Sequence, residues 1–207
     1  MSVRASFFAM TYDRQMRKTE ANGLRAMRQR LLAAATGQVI EVGGGTGANL
    51  PLYGHDVESL TVTEPLRPML KRLEQRVRDQ GSGAKVLRAP AEDLPFDDGT
   101  FVVAVSTLVL CGVDDQPRAL RELRRVLRPG GRLLFLEHMR SDDPAVARLQ
   151  DKLNWFNRLV VCCDCNRATL GTMEKAGFTV TKLERTVFPG APKFVGPAVV
   201  GTAVTPS

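Results

Sequence analysis

Cysteine is scarce. Four in 207 residues cannot build a disulfide scaffold, and three of them, Cys162, Cys163 and Cys165, stand too near one another to pair readily. The first 17 residues are polar and charged with no secretory leader, so reduced thiols and a cytoplasmic protein are expected. Long apolar runs are missing too. Residues 101–105 have the length of a strand and 194–204 are broken by glycine and proline, against the ~18 residues a bilayer span requires. That excludes a membrane-spanning helix. The 18 glycines and 12 prolines follow no period, which removes collagen, solenoids and low-complexity tails. Acids are outnumbered, 22 against 29 Lys and Arg, for a net charge of +7. Such a balance suits an anionic partner, yet no basic cluster is interleaved with stacking aromatics, so nucleic acid is not expected.

What is present is an alternation of strands and helices. Residues 12–35 have helical periodicity, with Met16, Leu24, Met27 and Leu31 on one face and Arg14, Arg17, Lys18, Arg25 and Arg28 on the other. The basic face is either solvated or a peripheral contact with an anionic membrane, and Gly37 is expected to cap the helix. Strands are expected at 38–42, 59–63, 85–88, 100–106 and 132–137, with helices opened by Pro65 and Pro117. Arg128-Pro129-Gly130-Gly131 is a turn at which the helix over 117–127 must stop. Helical stretches over 143–161 and 168–176 lead to strand-like segments at 178–184 and 194–204. The pattern predicts an α/β fold: a seven-stranded, mostly parallel sheet with helices on both faces and an antiparallel C-terminal hairpin strand. One domain is expected, divided into a helical cap (1–37), a cofactor-binding core (38–140), and lid helices with the hairpin (141–207).

Ligands of such sheets bind at the carboxyl ends of the strands. Gly43-Gly44-Gly45-Thr46-Gly47 lies at one, where missing β-carbons let backbone N–H groups approach a ligand. Alone, this loop also fits a dinucleotide, with Gly43, Gly45 and Ala48 in the small positions and Glu64 further on. Glu41 argues otherwise, because a carboxylate there repels a pyrophosphate and suits a cationic ligand. Ala91-Glu92-Asp93-Leu94-Pro95-Phe96 and Leu127-Arg128-Pro129-Gly130-Gly131 complete a set. Across residues 38–140 the set resembles the Rossmann-like class I S-adenosylmethionine-dependent methyltransferases. The resemblance implies S-adenosylmethionine as cofactor. It puts Gly43, Gly45 and Gly47 under the methionine part, with Tyr12, Glu41, Thr46 and Asn49 around it. Glu64 would take the ribose hydroxyls with Pro65 beside it, and Leu66 and Ala91 would flank the adenine, with Glu92 or Asp93 at its amine. Thr107 and Leu108 would border the transfer position. Tyr12 either closes over the cofactor carboxylate or packs the first helix.

Five further segments concern the acceptor: residues 8–16, 45–53, 106–113, Leu136-Glu137-His138-Met139, and Cys162-Cys163 followed by Arg167. In this order they resemble the methyltransferase-like protein seven family, the alkyl-thiol S-methyltransferases, and their short bacterial relatives. The implied acceptor is a small thiol. N- or C-methylation of a phospholipid head group or quinone is the alternative, and a non-catalytic cofactor-binding domain is another. Two departures stand out: no hydrophobic anchor precedes Phe7-Phe8, and Cys162 occupies a position where the relatives carry glycine. Cys111, Trp155, Cys163 and Arg167 are the candidate substrate residues; Arg167 either holds an acidic group or pairs with Asp164. His138, one of two histidines, is either a general base or a strand-end hydrogen-bonding group. Asp114 and Asp115 read as a helix cap. Cys-Cys-x-Cys lacks the paired spacing of metal sites, so no metal is expected. Trp155 and Phe156, with Leu153 and Leu159, read as a packed lid helix over an apolar pocket.

Overall fold

The computed structural model describes residues 3–161 and 163–206; Cys162 lies outside the described residues. Its strands are β1 (Gly37–Val42), β2 (Val57–Thr63), β3 (Lys85–Leu87), β4 (Phe101–Thr107), β5 (Leu127–His138), β6 (Thr179–Val187) and β7 (Pro197–Val204). They form one seven-stranded sheet in the order β3-β2-β1-β4-β5-β7-β6. The first five are parallel, and β7 runs antiparallel to both β5 and β6. β1 and β4 are central and almost wholly buried because helices cover both faces. After β3 the chain crosses to the far side of β1, so the sheet switches direction between β1 and β4. Register keeps the strand ends level there, Glu41 opposing both Val62 and Val105.

Two apolar layers flank the sheet. One packs Leu133, Phe135 and Val199 against α4 (Gln116–Val126) and α6 (Thr169–Lys175). The other packs Val103, Leu134 and Leu136 against Leu24, Leu31 and Leu32 of the N-terminal helices. Those helices depart from the single expected element. α1 (Val3–Thr19) passes through a wide turn (Glu20–Leu24) into α2 (Arg25–Leu32), with Gly23 at φ 134° marking the bend. Gly37 caps nothing; at φ 68° it opens β1. α3 (Arg67–Asp79) starts beyond Pro65 and carries Pro68 in its first turn. α4 is capped by Asp115, which accepts the Arg118 N–H at 2.9 Å. Arg128-Pro129-Gly130-Gly131 runs on as the irregular start of β5, the register slipping between Phe101↔Leu127 and Val103↔Arg132. α5 (Pro144–Val161) and α6 precede the C-terminal hairpin. Among the described residues, no helix is long and apolar enough to cross a membrane.

Candidate functional site

The glycine loop is pressed onto the sheet at one residue and open at the next. A β-carbon on Gly44 would meet Val62 at 2.2 Å, so the backbone lies flat on β2. Gly45, at φ 58°, faces open space, and its N–H reaches Glu64 at 2.9 Å. Glu64, 5% exposed, also accepts the Leu66 N–H at 2.8 Å. Burial raises its pKa, and the two N–H groups oppose that rise. Leu66 itself stands 42% exposed beside this buried acid, an apolar surface next to a polar cradle.

Beneath the loop lies a buried polar network. Glu41 accepts Asn49 Nδ2 at 2.9 Å and the Tyr53 hydroxyl at 2.6 Å. Burial raises its pKa, opposed by those bonds and by Arg28. Arg28 is only 4% exposed. Its guanidinium donates to Glu20 (3.1 Å), Asn49 Oδ1 (3.0 Å) and Thr107 Oγ1 (2.7 Å), which joins α2, the loop and β4. This corrects the expectation that Arg28 belongs to the solvated face. Leu24, Arg28 and Leu31 stand four and three residues apart, on one helical face, so the spacing held the signal. Tyr12, Arg28, Glu41, Gly45, Thr46, Asn49 and Thr107 line one small cavity. Burial raises the Tyr12 pKa against the pull of Arg28. Thr46 donates to Asp13 at 2.6 Å, and Asp13 pairs with Arg76 at 3.4 Å, so α1 is tied across the loop.

β4 ends in strain. Leu108 has φ 62°, the one non-glycine positive φ among the described residues. Glu137, fully buried at the end of β5, holds this turn by accepting Ser106 Oγ at 2.7 Å and the Val109 N–H at 3.0 Å. Its pKa is raised by burial and pulled back by those donors. Glu137 was not among the candidate residues; an acid ending an otherwise apolar strand was its signal. Further along, Asn157 Nδ2 donates to Cys163 Sγ at 3.3 Å, and the Cys111 thiol is its neighbour. The interaction between the two thiols raises the Cys111 pKa and lowers that of Cys163. His138 meets the Val195 carbonyl through Nδ1 at 2.8 Å and packs on Phe188, ring centroids 4.4 Å apart. A carbonyl only accepts, so the proton sits on Nδ1 and Nε2 keeps its lone pair. Burial lowers this imidazole's pKa to about 4.

Other candidates go elsewhere. Trp155 does not face the site: it is 67% exposed on the outer side of α5. Arg167 is consumed by Asp164 (2.6 Å) and the carbonyls of Leu110 (3.1 Å) and Val113 (2.7 Å), which corrects its candidacy as a substrate anchor. Glu92 Oε1 accepts the N–H groups of Asp114 (2.9 Å) and Asp115 (3.2 Å), so that oxygen holds the approach to α4. Ala91 is buried in the α4 layer, while Asp93 is exposed.

A family model described as a methyltransferase domain matches residues 40–135. The human thiol S-methyltransferase TMT1B is 34% identical over 84% of this chain and 73% of its own length. Phosphatidylethanolamine N-methyltransferase of Cereibacter sphaeroides is 34% identical over 62% of this chain and 67% of its own. In fold, a crystal structure from Thermotoga maritima, titled a SAM-dependent methyltransferase and possible histamine N-methyltransferase, superposes with TM-score 0.72. It is 24% identical, and the match covers 98% of each chain. An open glycine loop, a buried acid at the carboxyl end of each of two neighbouring strands and this kinship agree: the chain belongs to the class I S-adenosylmethionine-dependent methyltransferases.

Proposed function

We propose that this methyltransferase S-methylates a small, apolar thiol. The reach of the kinship carries the reading. Acceptor specificity depends on segments outside the shared core, and the likeness to a thiol S-methyltransferase runs over 84% of the chain, against 62% for the phospholipid enzyme. Bound S-adenosylmethionine supplies an electrophilic methyl on a cationic sulfur. The residues at the loop suit it. Gly45 leaves room for it, and each Glu64 oxygen, already holding one N–H, retains a lone pair for a ribose hydroxyl. Leu66 offers its exposed face to the adenine, and Arg28 and Glu41 face the two charges of the amino-acid end.

A thiol also asks for the least acid–base help. His138, the candidate base, has its pKa lowered by burial to about 4, which makes it a weak base. An ammonium or a phenol needs a stronger one. A thiol, with a pKa of about 8.5, is a few per cent thiolate at neutral pH unaided. Alignment then does most of the remaining work. Incubating the purified chain with S-adenosylmethionine and a panel of alkyl thiols, phosphatidylethanolamine and quinols tests the assignment. Thioether formation whose rate climbs with pH up to the thiol's own pKa is expected. Transfer to the phospholipid amine or quinol with no turnover on any thiol would overturn it, and cofactor binding without transfer to any acceptor would favour a non-catalytic role.

A further inference from the structure

α5 is amphipathic in the wrong direction for a helix that meets only water. Its inner side carries amides: Gln150 donates to the carbonyls of Met139 (3.0 Å) and Cys165 (2.7 Å), and Asn154 and Asn157 hold Asp164 and Cys163. Its outer side carries Leu149, Trp155, Phe156 and Leu159, all exposed. Trp155 and Phe156 meet edge to face, 5.8 Å between ring centroids. The spacings 149, 152, 155/156 and 159 keep these residues on one stripe, and Arg148 and Lys152 share it. The only acid between Pro144 and Val161, Asp151, is engaged by Arg140 and Asn166. The stripe is therefore aromatic, aliphatic and cationic. Exposed apolar stripes rimmed by cations are a mark of interaction surfaces, and Trp with Lys or Arg suits the boundary between lipid head groups and acyl chains.

We propose that the outer face of α5 docks this enzyme on an anionic lipid surface. Charge selects lipid over a second copy of the chain: two-fold pairing of this face would set Lys152, near its centre, against the same lysine of the other copy. An anionic bilayer instead neutralises Lys152 and Arg148 while its acyl boundary accepts the rings. The placement concerns binding alone and is independent of which acceptor is methylated.

Trp155 is the sole tryptophan, so its fluorescence reports the face directly. Full-length chain mixed with phosphatidylcholine–phosphatidylglycerol vesicles should co-sediment and shift its emission to the blue. Pure phosphatidylcholine should bind it about tenfold less, and added salt should weaken the anionic binding. The Phe156→Glu/Leu159→Glu variant should lose about tenfold or more in vesicle affinity, and Arg148→Glu/Lys152→Glu should lose affinity and salt dependence together. In both variants S-adenosylhomocysteine should bind as in the parent, which reports an intact fold. Nitroxide-labelled lipid quenching Trp155 in the unmodified chain supplies a readout needing no variant. Absence of vesicle binding would overturn the proposal. So would vesicle binding that neither pair of substitutions weakens, or lipid probes that leave Trp155 unquenched, or a concentration-dependent dimer that buries Trp155 without lipid.

Discussion

A single buried cation organises the cofactor side of the site. Arg28 holds Glu20, Asn49 and Thr107 at once, and through Asn49 it is linked to Glu41. Removing a partner from a buried charged network costs about 3–5 kcal/mol, because the remaining groups keep their desolvation without compensation. Arg28→Met should therefore lower stability in urea by about 3 kcal/mol and raise the Glu41 pKa further. Arg28→Lys should recover part of that loss, since a point charge replaces the fork without matching its three contacts. His138 makes the second residue-scale prediction. The unfolded imidazole takes up its proton near pH 6.5, whereas the folded one resists until about 4. Between those values the unfolded state binds more protons, so this group's contribution falls as pH drops from about 6.5 and levels off below about 4. Chemical denaturation at pH 7 and pH 5 should show about 2 kcal/mol of acid-side loss in the parent that His138→Asn lacks. The buried carboxylates act with the opposite sign, so the difference between the two proteins, not the parent curve alone, is the measured quantity.

The glycine loop separates packing from ligand access within one element. Gly44→Ala would drive a methyl into Val62 and should cost about 1–3 kcal/mol by overpacking. Gly45→Ala meets nothing, and its positive φ costs about 1–2 kcal/mol. Its methyl, however, projects where the ligand belongs. Thermal melts together with S-adenosylhomocysteine titration should rank the first variant by lost stability and the second by lost affinity; equal affinity losses would contradict this division. Elements of this kind were legible in the sequence because their signals are local: a short strand from Val39 to Val42 that is apolar except for Glu41, glycines after it, Asp115 and Pro117 before a helical period. Signals that depend on distant partners were not. Arg28 looked like one more surface arginine until Asn49 and Thr107 arrived from elsewhere in the chain. Pro129 and Gly130 read as a turn, and Gly130 keeps a left-handed φ of 70°, but the turn lies inside β5 as an irregularity across which the register against β4 slips. α5 misled most, since aromatic residues on a helix ordinarily face inward, and here the amides satisfy buried carbonyls instead.

At the scale of the molecule, the site is a junction of four strand ends and the N-terminal helices, so occupancy and global stability are tied. Asp13 reaches Thr46 and Arg76 from α1, Arg28 reaches Thr107 from α2, and Glu64 reaches back from β2 to Gly45. A ligand seated among these groups binds the folded state alone. At a concentration about 100 times its dissociation constant, S-adenosylhomocysteine should add about 2.7 kcal/mol, or about 5–10 °C in Tm for a chain of this length. Glu64→Ala removes the acceptor of the Gly45 and Leu66 N–H groups and should lower the starting Tm, at a cost of about 1 kcal/mol. The informative quantity is the ligand-induced increment in that variant. It should shrink to near zero at the same ligand concentration, because the ribose loses its acceptor and Gly45 its tether. A full increment in Glu64→Ala, measured by calorimetry beside the parent, would move the nucleoside away from the end of β2 and require another strand end to hold it.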